Sequence, residues 1–91
     1  MQKKASSKLK GLLDRIEDKT TKKKVEKAYD ALYSSPTKSH PSLAQTESQI
    51  LISINELRGI VTSGDKDRII GAADSLLIAI NERNRQLKIL N

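Results

Sequence analysis

Cysteine, tryptophan and phenylalanine are absent from this 91-residue chain, and Tyr29 and Tyr33 are its only aromatic residues. Without cysteine there is neither a disulfide scaffold nor a thiolate metal site. Two tyrosines do not make the stacking platform on which single-stranded nucleic acid lays its bases. Long apolar runs are missing too. The longest, Leu76-Leu77-Ile78-Ala79-Ile80, falls far short of the roughly 20 residues that a membrane-spanning helix needs. No apolar stretch follows the charged start Met1-Gln2-Lys3-Lys4, so no secretory signal is read and the cytoplasm is the expected compartment. Two domains would each be too small to bury a core, so residues 1–91 are expected to form one domain.

Proline and glycine are scarce, and their positions punctuate the chain. Pro36 and Pro41 bracket a Ser/Thr-rich loop that ends in the only histidine, His40. Ser63-Gly64-Asp65 is the second break: Gly64 suits a left-handed helix C-cap and Asp65 the N-cap of the next helix. Three segments remain, about 5–34, 41–63 and 65–90.

Apolar spacing in these segments is helical. Ile69, Ala73, Leu76, Ile80, Leu87 and Leu90 fall on one stripe, interrupted by Arg83. Leu43, Ile50, Ile54, Leu57 and Val61 form a matching stripe, whose helix starts either with Pro41 in its first turn or with Ser42 as N-cap. The short turn between them predicts an antiparallel hairpin. The first segment carries two stripes: Ala5, Leu9, Leu12 and Ile16, then Val25, Tyr29 and Leu32. Val25 lies nine positions after Ile16, two and a half helical turns, so the stripes point to opposite sides of a straight helix. A break near residues 18–21 is favoured over a continuous helix packing on two different surfaces. Strand-like alternation does not persist anywhere. The expected fold is all-α: a small antiparallel bundle of three long or four shorter helices.

Enzyme chemistry finds little support. His40 has no sequence neighbour with which to form a metal or acid–base site. Asp14, Glu17 and Asp18 are expected on one helix, with Asp14 and Asp18 sharing a face at i,i+4, but Lys10, Arg15, Lys19 and Lys22 surround them, which describes a solvated, ion-paired face. Gly11, Gly59, Gly64 and Gly71 are too dispersed for a phosphate loop. No catalytic residue, cofactor or metal is expected.

Charge is unevenly spread. Lys plus Arg number 17 against 11 Asp plus Glu, a net charge of +6, and residues 1–33 carry ten of the basic residues and five of the acidic ones. Besides Lys3 and Lys4, the candidates for phosphate-backbone contact are Lys8, Lys10, Lys22, Lys23, Lys24 and Lys27; the plainer reading is a solubilising face. Tyr29 and Tyr33, at i,i+4, suit core packing with wet hydroxyls or an exposed partner anchor. Arg83 on its apolar stripe either snorkels to water or pairs with Glu47, which antiparallel pairing brings opposite it. Ile52 and Ile78 fall off their stripes, facing outward at one level, with Gly59 and Gly71 seven residues away on the same faces. Such surplus apolar surface is covered either by the first segment or by another chain. The expected function is therefore non-enzymatic: a small binding or adaptor protein working through helix packing with another protein chain, a second copy of itself included, with Ile52, Ile78, Tyr29 and Tyr33 as the candidate interface residues. The alternative is a nucleic-acid-associated protein using its Lys-rich third.

Overall fold

A chain reversal removes the half-turn conflict between Ile16 and Val25. In the computed structural model, which describes residues 2–35 and 40–90 with side chains from Ser6 onward, α1 (Gln2–Leu13) ends well before α2 (Lys19–Tyr33) begins. Turn-like bonds from Arg15 N–H to the Leu12 carbonyl (3.0 Å) and from Ile16 N–H to the Leu13 carbonyl (3.2 Å) fold the chain back. Both stripes thereby face one core: Leu9, Leu12 and Ile16 are buried together with Val25, Ala28 and Leu32. The continuous first helix packing on two different surfaces does not form. Nor does the shared helical face of Asp14 and Asp18, since both lie, with Glu17, beyond the end of α1. The expectations for the side chains of Lys3, Lys4 and Ala5 and for the loop residues 36–39 fall outside the described side chains and residues.

Beyond the loop, a 3-10 turn at Pro41–Leu43 leads into α3 (Ala44–Ser63), and α4 (Lys66–Leu90) follows. The cap of the turn is His40, whose Nδ1 accepts from the Ser42 N–H at 3.1 Å. Ser42 is therefore not the N-cap of α3; Pro41 fills the first position of the turn, where its missing N–H is no loss. Gly64 adopts φ 75° at the α3 C-cap, the left-handed conformation in which a Cβ would be strained. The Asp65 carboxylate accepts from the Arg68 N–H at 3.3 Å at the start of α4.

The described residues form four α-helices and no strand, an all-α bundle. Helix α1 packs on α2 and α3, and α4 packs on the same two, so α1 and α4 occupy opposite corners, as do α2 and α3. Contacts between Asp18 and Lys66, Lys24 and Asp74, and Ser35 and Asn84 advance together along α2 and α4, which therefore run parallel. Helices α3 and α4 run antiparallel. The 25-residue α4, about 37 Å long at 1.5 Å per residue, matches the 39 Å long dimension of the molecule. Ile50, Ile54, Leu57 and Val61 meet Ile69, Ala73, Leu76 and Ile80 in the core. Leu90 departs from its stripe and is 42% exposed, because α4 outruns the start of α3 and only the short Pro41–Leu43 turn stands beside its end.

Asp18 starts α2. Its Oδ2 accepts from the Thr21 N–H at 3.0 Å and the Thr21 hydroxyl at 2.8 Å, with Lys66 Nζ 3.4 Å from its other oxygen. The Thr21 backbone bond, then its hydroxyl, then Lys66 hold this carboxyl below its ordinary value near 3.8. A depressed folded-state pKa contributes stability that is present above the unfolded value and lost as pH falls through the folded one. Asp18→Asn keeps a capping oxygen but does not titrate. Urea midpoints measured across the acid range should fall less steeply in Asp18→Asn than in the native protein below about pH 4; identical slopes would remove Asp18 from the acid response.

Candidate interaction surfaces

The stripe that builds α4 carries Arg83 into the bundle, where it is only 2% exposed. Helix α3 delivers Glu47 to the same level. Arg83 Nε and Nη2 both donate to Glu47 Oε2, at 3.1 and 3.0 Å, so the buried ion pair holds and the snorkelling alternative does not. Arg83 Nη1 donates to Asn84 Oδ1 at 3.3 Å, Asn84 Nδ2 donates to Ser35 Oγ at 2.8 Å, and Ser35 Oγ donates to the Ala31 carbonyl at 2.6 Å. One polar chain thus links α3 through α4 to the end of α2. Among the described residues no buried side-chain nitrogen or oxygen lacks a partner. The parts played by Asn84 and Ser35 were not legible in the sequence, since they lie 49 positions apart.

On the opposite side of α3 and α4 the outward isoleucines stay outward. Ile52 is 49% and Ile78 69% exposed, so the first segment does not cover them. The Glu47–Arg83 level sets Ile52 beside Ile78 and Gly59 beside Gly71 across the hairpin. Both glycines are exposed, with no atom within 4 Å of where a Cβ would stand. Gln45, Gln49, Ile78, Ala79 and Gln86 line a groove between the two helices. That groove continues past Ser42 and Gln86 into an apolar cleft of Leu43, Ile89 and Leu90 at the bundle end. Ile89 and Leu90 thereby join the exposed apolar set, which sequence reasoning missed by assigning Leu90 to the core and Ile89 to nothing. Tyr29 and Tyr33 stand elsewhere, on α2, with ring centroids 5.8 Å apart. Tyr29 packs half-buried against the core and Tyr33 is exposed.

The lysines are not gathered on one face. Lys24 points to α4 and pairs with Asp74 at 3.9 Å. Lys10, Lys22, Lys23 and Lys27 are exposed without an ion pair among the described residues. Lys23 and Lys27 continue the ridge of Lys19 at four-residue spacing along α2. Lys8 faces α3, where it lines an open cleft with Arg15 and Arg58. Among the described residues no group of three or more His, Asp or Glu converges, and no helix is long and apolar enough to cross a membrane.

Comparison of the chain with family models, curated proteins and solved structures finds no match.

The polar chain makes a direct prediction. Glu47→Ala leaves the Arg83 guanidinium buried without its counter-charge, and losing one partner of such a pair costs about 3–5 kcal/mol. Urea unfolding followed by circular dichroism should show a loss of that order; a change below about 1 kcal/mol, the range of an exposed pair, would place Arg83 effectively in water.

Proposed function

We propose that this protein acts by binding and not by catalysis, associating through the outer face of the α3–α4 hairpin with a second copy of itself. The observation that carries this reading is the exposure of Ile52 and Ile78 after α1 and α2 have packed on the other side of the bundle. Water-facing isoleucines at one level on adjacent helices have no role inside the monomer, and burying each side chain is worth about 1.5–3 kcal/mol.

The glycines favour a second copy as the partner. A mid-helix glycine costs roughly 1 kcal/mol relative to alanine, and around Gly59 and Gly71 the monomer leaves the space that a methyl group would fill. A two-fold axis lying across both helices, midway between the two levels, lays Ile52 of one copy over Gly59 of the other and Ile78 over Gly71. Ridges then sit in notches on both helices at once, the self-complementarity that an isologous interface requires. Glu82, the acidic residue of the groove, is already engaged by Arg85, so closing the face buries no lone charge there. The imidazole of His40 is likewise occupied, as a helix cap.

Sedimentation equilibrium at micromolar concentrations tests the reading. The expected species has twice the chain mass of 10.1 kDa, and Ile52→Glu or Ile78→Glu returns it to the monomer with its helical circular dichroism intact, because an interfacial carboxylate would be desolvated without a partner. A native protein that sediments at 10.1 kDa throughout would overturn the proposal.

A further inference from the structure

The seams between helices differ in how their cations are matched. Along α4 three seam cations meet a carboxylate: Lys24 meets Asp74 and Lys66 meets Asp18 on the α2 side, and Arg83 meets Glu47 on the α3 side. The seam between α1 and α3 departs from this pattern. Lys8 of α1, Arg15 of the turn after α1 and Arg58 of α3 line one open cleft with Ser7, Gly11 and Leu12, and no carboxylate lines it. None of the three cations has an ion pair among the described residues. Arg58 comes from a stretch of the sequence with no net charge, and only the packing of α3 beside α1 adds it to the basic end of the chain.

We infer that this cleft holds the phosphodiester backbone of a nucleic-acid strand, without reading its sequence. Two of the three cations are arginines, whose planar forks match phosphate oxygens in pairs. Lys8 stands on α1, Arg15 in the turn that follows it and Arg58 across the seam on α3. Three cations from three different elements along one cleft suit a strand that carries phosphates at regular intervals. Gly11 lies between Lys8 and Arg15 in the sequence, with open space where its Cβ would be, so a strand can approach the helix closely. The cleft has no aromatic side chain on which a base would stack, which leaves the backbone as the recognised feature. The site is independent of the self-association reading, since the outward isoleucines and glycines of α3 and α4 do not line it. It also moves the phosphate contacts away from Lys22, Lys23, Lys24 and Lys27, whose helix does not reach this seam.

Fluorescence anisotropy with a labelled, mixed-sequence single-stranded oligodeoxynucleotide, titrated across a series of salt concentrations, tests the site. All the altered residues are exposed, and circular dichroism checks that each variant keeps its fold. Binding should weaken linearly in log–log form as salt rises, and Arg15→Gln or Arg58→Gln should each reduce that slope by about 0.7, the loss of one single-strand phosphate contact. Lys23→Gln, on the outer ridge of α2, should leave the slope unchanged. No binding at the lowest salt, or equal losses for Arg58→Gln and Lys23→Gln, would overturn the inference. Displacement of the oligonucleotide by polyglutamate as effectively as by unlabelled oligonucleotide would overturn its assignment to phosphate.

Discussion

One buried ion pair fixes how the long hairpin is assembled. Arg83 is the only charged residue on the core stripe of α4, and Glu47 is the only one on the core stripe of α3. Apolar ridges alone tolerate sliding, because each heptad presents much the same surface to its neighbour. A buried charge does not tolerate it, since several kcal/mol are lost when an ion leaves water without a partner. A slip of one heptad in one direction sets Arg83 against Ile54; in the other it sets Glu47 against Leu76. Only the observed register satisfies both charges. Asn84 and Ser35 extend the constraint to α2, so the polar chain ties together three of the four helices at one end of the bundle.

The surfaces left over follow from that register. With Glu47 opposite Arg83, Ile52 stands level with Ile78 and Gly59 with Gly71, on the side turned away from α1 and α2. Helix α1, short and displaced to the corner opposite α4, closes the core from the other side and brings its Lys8, with Arg15 of the turn that follows it, to the cleft that Arg58 lines. The molecule thus has two differently furnished faces. One is apolar and notched, and Glu82 in its groove is paired with Arg85. The other is basic and lacks internal counter-charges. Association through the first leaves the second open to solvent.

Much of the fold was legible in the amino-acid sequence because the information was local. The spacing of Ile50, Ile54, Leu57 and Val61 and of Ile69, Ala73, Leu76 and Ile80 defines two helix faces, and Gly64-Asp65 defines the turn between them. The misfit of nine residues between Ile16 and Val25 required a break, expected near residues 18–21; the chain reverses slightly earlier, at residues 14–18, and residues 19–21 open α2. What was not legible depended on contacts between distant segments. Periodicity does not say which helices become neighbours, so the meeting of Arg58 with α1 and of Asn84 with Ser35 could not be read. Arg83 left two alternatives open, because a cation on an apolar stripe is settled only by what stands opposite it. The exposure of Leu90 follows from relative helix lengths, not from its own spacing. His40 as a cap depends on a loop conformation that its proline neighbours restrict but do not specify.

The claim that the Glu47–Arg83 pair holds the register can be measured directly. The chain has no native cysteine, so spin labels at Glu56→Cys and Ser75→Cys, exposed positions nearly level on α3 and α4, report one distance without further engineering. That distance should be narrowly distributed in the presence of the ion pair, and displaced or broadened when both partners are replaced, Glu47→Leu with Arg83→Leu, leaving an apolar seam that is free to slide. The same narrow distribution in both proteins would show that apolar packing alone sets the register, and would contradict the account.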